Sequence, residues 1–68
     1  MNERERIGRR IAELRAQMGI SQARLAELSG VGYSHIARIE KGYYSVGVDV
    51  LAKLADALNV ELDFNPKK

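Results

Sequence analysis

The chain has 68 residues and a formal net charge of +2, with 46% hydrophobic and 29% charged residues; this balance suits one small globular domain and excludes an intrinsically disordered chain. It contains no cysteine and one histidine, which excludes a disulfide scaffold and cysteine-ligated zinc and leaves no histidine cluster for a metal. No apolar run approaches the ~20 residues of a membrane span, and the arginine-rich start lacks the apolar stretch of a signal peptide, so the sequence reads as that of a soluble cytoplasmic protein with no membrane partner.

The charge is unevenly spread. Residues 1–24 hold six arginines against three acids, residues 25–48 balance, and residues 49–68 sum to −1. A basic end on so small a domain suits a phosphate-bearing partner, although a solvated helix face gives the same counts.

Between Asn2 and Met18 the apolar positions Ile7, Ile11, Leu14 and Met18 recur at spacings of four, three and four. That is one stripe of an amphipathic helix. Asn2 is suited to cap it, Glu3 and Glu5 lie at the positive end of its dipole, and Gly19 supplies a left-handed stop. Ser21 is the cap of a second helix over residues 22–28, with Leu25 and Leu28 read as an inward pair. At barely two turns this helix depends on packing for its existence. Ser29-Gly30-Val31 forms a tight corner, and Gly32 opens a third helix over about residues 33–41, closed by Gly42, with Ile36 and Ile39 facing inward. A glycine-punctuated aromatic loop, residues 42–47, leads to a fourth helix over about residues 48–58, which buries Leu51, Leu54, Ala55 and Leu58 and stops at Asn59. Val60, Leu62 and Phe64 then alternate with Glu61 and Asp63, which predicts a short strand halted by Asn65-Pro66. The expected fold is all-α: a compact four-helix domain over residues 1–60 with a strand-like tail, residues 60–68.

Two short helices joined by a corner containing glycine make a helix-turn-helix arrangement, here residues 21–41. The run Gly19-Ile20-Ser21-Gln22-Ala23-Arg24-Leu25-Ala26-Glu27-Leu28-Ser29-Gly30-Val31 resembles the phage repressor and Cro-type helix-turn-helix family. So do Ile36-Ala37-Arg38-Ile39-Glu40-Lys41-Gly42 and Leu51-Ala52-Lys53-Leu54-Ala55-Asp56-Ala57-Leu58-Asn59-Val60, and the likeness covers about residues 7–60. The resemblance implies a lambda-repressor-like domain that places residues 33–41 in the major groove of double-stranded DNA. It implies a sequence-specific transcriptional regulator, in the first place a repressor, that binds a palindromic operator as a homodimer and needs no cofactor.

The same resemblance assigns roles to single residues. Tyr33, Ser34, His35 and Arg38 match the base-reading positions. Arg38 has the chemistry to donate bidentately to guanine O6 and N7. Tyr33 suits a thymine methyl, a phosphate or the edge of the core; His35 on the DNA side would make binding sensitive to pH near neutrality, and a packing role is its alternative. Ser21, Gln22, Lys41, Tyr43, Tyr44 and Ser45 match positions that contact the DNA backbone. Arg15 and Glu40 match an ion pair that ties the first helix to the end of the reading helix, a task for which the planar guanidinium fork is suited. The sequence departs from the family at Gly32, where a serine or threonine cap is usual, at Val46 in place of a common proline, and at Ala37, which offers a base only a methyl group.

Many relatives dimerise through a fifth helix. Here ten residues follow Leu58, Pro66 among them, and the alternating tail offers an antiparallel ribbon that sets Val60, Leu62 and Phe64 across a two-fold axis; a tail folded back on its own domain is the alternative. Two further readings share the DNA-binding domain: the antitoxin of a toxin–antitoxin pair, with a toxin protein as partner, and a restriction–modification controller. An enzyme is not expected, because Glu27, Glu40, Asp49 and Asp56 are dispersed and no glycine-rich phosphate loop or nucleophile–base arrangement is present.

Overall fold

Local chemistry sets the helix boundaries in the computed structural model, which describes residues 1–43 and 45–67. Helix α1 (Glu3–Met18) opens on a capping box: the Asn2 side chain accepts from the Glu5 amide at 2.8 Å, and the Glu5 carboxylate accepts from the Asn2 amide at 2.9 Å. It closes at Gly19, in the left-handed conformation at φ 69°. Helix α2 (Gln22–Ser29) is capped by Ser21, whose hydroxyl accepts from the Arg24 amide at 3.0 Å. Helix α3 (Tyr33–Glu40) starts at Gly32 with no side-chain cap, and helix α4 (Val48–Ala57) starts likewise at Gly47. Asn59 takes a positive φ of 59° after α4, a conformation that asparagine tolerates better than most residues.

Each helix contributes to one core of Ile11, Leu25, Val31, Ile36, Ile39, Leu54 and Leu58. Burying each of these side chains contributes about 1.5–3 kcal/mol, so the two-turn helices α2 and α3 are held by packing rather than by their own propensity. α3 rests on both α1 and α2, and α4 closes the other side of α2.

Two inward assignments are corrected. Leu28 is 45% exposed and Met18 is 44% exposed. The inner face of α2 is made by Gln22, Leu25, Ala26 and Ser29, and on a 100° helical wheel Leu28 falls well outside it. Met18 lies beyond the end of the core, where Ile20, past the turn, takes the packing position. The tail is also corrected. Residues 60–67 form no strand, because a strand exists only as one side of a ladder and nothing among the described residues pairs with it. Phe64 is 99% exposed.

The packing of α1 on α3 depends on glycine at two points. A Cβ on Gly8 would collide with the carbonyl oxygen of Ile39 and lie 2.9 Å from that of Glu40. Gly42, at φ 73°, similarly faces the Cα of Glu5 at 2.8 Å. Backbone therefore meets backbone where α1 supports the end of α3.

Candidate nucleic-acid interface

The corner between α2 and α3 is held from inside. Gly30 adopts φ 75°, and the Ser29 hydroxyl donates to the Leu25 carbonyl at 2.7 Å while accepting from the Val31 amide at 3.1 Å. This clasp fixes the direction in which α3 leaves α2. Sequence reasoning placed Ser29 in the corner but gave its hydroxyl no role; its position beside a corner glycine, where serine competes for backbone groups, is the signal for one.

α3 is divided lengthwise. Ile36 and Ile39 are buried, whereas Tyr33, Ser34, Arg38 and Lys41 are exposed. Ser34, Arg38 and Lys41 follow at spacings of four and three, which places them along one outward stripe. Neither Arg38 nor Lys41 joins an ion pair among the described residues, while Arg6, Arg10 and Arg24 each pair with an acid three residues away on their own helix. The positive charge of the stripe is therefore not neutralised by an ion pair among the described residues. His35 is half-buried and engaged in interactions of its own. Ala37 is partly buried on the adjoining side of the helix.

Behind the stripe lies a polar junction of three helices. Arg15 Nε donates to Glu40 Oε2 at 2.9 Å and Arg15 Nη2 to Glu40 Oε1 at 3.0 Å, a bidentate fork. The third guanidinium nitrogen, Nη1, donates to the Ile20 carbonyl at 3.0 Å. Gln22 Nε2 donates to the same Glu40 Oε1 at 3.0 Å. The Glu40 side chain is only 7% exposed and that of Arg15 21%, so the pair works where water screens it little. Hydrogen bonding to Glu40 raises the Arg15 guanidinium above its ordinary pKa, partial burial opposes this, and the Glu40 charge adds to it. The link from Gln22 to Glu40 was not foreseen residue to residue; it needs the three-dimensional meeting of α1, α2 and α3.

Ser21, Gln22 and Tyr33 line one open hollow together with Arg15 and Ala23. The amides of Gln22 and Ala23, in the first turn of α2, have no acceptor among the described residues, and amides so placed attract anions. At the other end of α3 the Lys41 ammonium sits 5.7 Å from the centre of the Tyr43 ring, a cation–π distance. Ser45 is not part of either group: it lines a separate hollow with Glu3, Arg4 and Val46. Tyr44 lies outside the described residues. Among the described residues no group of three or more metal-ligating side chains occurs, and no helix is long and apolar enough to cross a membrane.

Comparison with known proteins gives a consistent picture. The family model described as "Helix-turn-helix" matches residues 11–65. The chain is 42% identical over 55 residues to the HTH-type transcriptional regulator PuuR of Escherichia coli (strain K12), covering 81% of this chain and 30% of that protein. It is 31% identical over 58 residues to the HTH-type transcriptional regulator ImmR of Bacillus subtilis (strain 168), covering 85% of this chain and 46% of that one. The chain thus spans about a third to a half of the length of these relatives. Among solved structures, the restriction-modification controller protein C.AhdI from Aeromonas hydrophila superposes with a TM-score of 0.84 at 39% identity, covering 87% of this chain and 89% of that one.

Proposed function

The chain belongs to the helix-turn-helix family, and we propose that it is a sequence-specific regulator of transcription, a repressor, that binds a palindromic site in double-stranded DNA as a homodimer. The observation that carries this reading is the division of α3: an inner face locked into the core and an outer stripe of Ser34, Arg38 and Lys41 that makes no ion pair among the described residues. Tyr33, Ser34, His35 and Arg38 read base edges, with Arg38 on a guanine. Ser21, Gln22, Lys41, Tyr43, Tyr44 and Ser45 hold the backbone, and Arg15 and Glu40 keep α3 at its angle. Val60, Leu62 and Phe64 join the two copies. The chain acts by binding rather than by catalysis, in the cytoplasm.

In this reading Gln22 couples the junction to binding. One hydrogen of its amide nitrogen is held by Glu40, and the second is left to donate to a phosphate at the mouth of α2. The amide then links the ion pair to the DNA backbone, so the depth and tilt of α3 in the groove are set by α1 and α2 together.

Selection from a pool of random duplexes, repeated at two salt concentrations, tests the reading. A palindrome with half-sites ~10 bp apart supports it; salt-labile retention with no enriched sequence overturns it. The likeness to C.AhdI favours one specific form of the same function, a controller of restriction–modification genes. In that form the selected operator stands immediately upstream of such genes.

A further inference from the structure

We propose that residues 61–67 form an antiparallel two-stranded ribbon with the same residues of a second copy, in the register whose two-fold axis lies at Phe64. The proposal rests on the homodimer reading above and deepens it by stating which residues face each other. The amides and carbonyls of Glu61, Asp63, Asn65 and Lys67 have no partner among the described residues, and Phe64 exposes 99% of its surface. Exposed backbone edges of this kind recruit another strand.

Charge selects the register. In an antiparallel pair, residues directly opposite share a face, and like charges there are destabilising. With the axis at Leu62, Glu61 faces the second copy's Asp63. An axis at Asp63 or Glu61 sets that acid against its own copy. With the axis at Phe64, Glu61 faces Lys67 of the second copy, Asp63 faces Asn65, Leu62 faces Pro66 and Phe64 faces Phe64. One face of the ribbon then carries two Glu–Lys pairs and the other is wholly apolar. An axis at Asn65 retains an Asp63–Lys67 pair but splits the phenylalanines.

Two backbone details agree with such a ribbon in any of these registers, and in the Phe64 register they set the pair types. Pro66 has no amide hydrogen, so the pair that contains it must be a non-hydrogen-bonded one. Pair types alternate along the ladder, which makes the Phe64 pair non-hydrogen-bonded too, and assigns the ladder bonds to residues 61, 63, 65 and 67, whose backbone groups are unused. The Phe64 amide then points away from the second strand, and in the structure it is already engaged, donating to its neighbour Asp63 Oδ1 at 2.7 Å. Leu62 lines the groove between α1 and α4 with Ile7, Ile11 and Leu58, and Glu61, Asp63 and Asn65 reach the same groove, so the start of the ribbon lies directly against each domain. The two Phe64 rings cover one another beside it.

Because the chain has no cysteine, single cysteines report the register directly. Under mild oxidation Phe64→Cys is expected to give a covalent dimer, since non-hydrogen-bonded pairs place Cα atoms ~4.5 Å apart, within disulfide reach. Leu62→Cys is expected to give none, its two copies being four residues apart along the ribbon, or ~13 Å. Faster cross-linking of Asn65→Cys or Leu62→Cys overturns the register. A charge cycle keeps the test open if loss of the ring weakens the dimer: Glu61→Lys and Lys67→Glu each weaken self-association several-fold by sedimentation equilibrium, and the double variant restores it. A double variant no better than either single one overturns the proposal while the homodimer stands. An unaltered chain that is monomeric at concentrations where it binds its operator overturns the homodimer reading itself.

Discussion

Gly8→Ala isolates the close approach of α1 to α3. In an open helix interior this exchange stabilises by about 1 kcal/mol, the difference in helix propensity. Here the added Cβ meets the carbonyl oxygens of Ile39 and Glu40 and lies 3.0 Å from the Glu40 carbonyl carbon. All three are backbone atoms at the end of a packed helix, so no side chain can swing aside. Relief requires α1 and α3 to part by about 1 Å, an overpacking strain at or above the upper end of ~1–3 kcal/mol. The same movement stretches the fork between Arg15 and Glu40. Set against the propensity gain, a net loss of about 2 kcal/mol is expected, which lowers the melting temperature of so small a domain by about 8–16 °C. Thermal and urea unfolding followed by circular dichroism measure it. The two cases differ in sign, so a Gly8→Ala protein as stable as the unaltered chain, or more stable, refutes the contact.

Other perturbations read the remaining parts of the structure. Arg15→Ala leaves the Glu40 carboxylate buried with only Gln22 as partner and is expected to lose about 3 kcal/mol in chemical denaturation, whereas the exposed Arg9→Ala changes stability by less than ~0.5 kcal/mol; equal effects would refute a shielded pair. Arg15→Lys recovers only part of the loss, because an ammonium lacks the planar fork. Gly19 and Gly42 share a left-handed φ, but a Cβ at Gly19 meets open space and one at Gly42 meets Glu5; Gly19→Ala should cost about 1 kcal/mol, the conformational term alone, and Gly42→Ala distinctly more. In DNA binding, Arg38→Ala is expected to cost about 1–3 kcal/mol and blur one base position, while Lys41→Ala weakens all sequences alike and reduces the salt slope by about 1. The opposite pattern in quantitative band-shift titrations reverses those two roles.

Much of this architecture is legible in the residues because it is decided locally. Asn2 and Ser21 accept from amides three residues on, Gly19, Gly30 and Gly42 take positive φ, and Asn59 ends the last helix. Each depends on a side chain's own chemistry within one turn. The periodicity of α1, α3 and α4 carries the core, again through near neighbours. Leu28 escapes this logic, since an eight-residue helix has too few apolar positions to fix the azimuth of its buried face, and its partners on α3 and α4 decide it. Gly8 is the clearest omission: a glycine inside a strongly helical run costs about 1 kcal/mol relative to alanine and therefore needs a reason, which becomes visible only when α3 is laid against it. The tail is the opposite case, where alternation is evident but a strand needs a second strand.

The polar junction has a consequence for how such a protein changes its target. Everything that orients α3 — Ile36, Ile39, Glu40 and the Ser29 clasp — lies inside the domain or at its hinge, and none of it belongs to the outward stripe. The side chains of Ser34 and Arg38 contribute neither to the core nor to any side-chain hydrogen bond or ion pair among the described residues. On the proposed reading, Ser34 and Arg38 would serve recognition while Ile36 and Ile39, on the same two turns of helix, serve the fold. On that reading, exchanges at those outward positions would open new operators with the chassis that aims them left intact, whereas drift in the chassis would alter every operator at once.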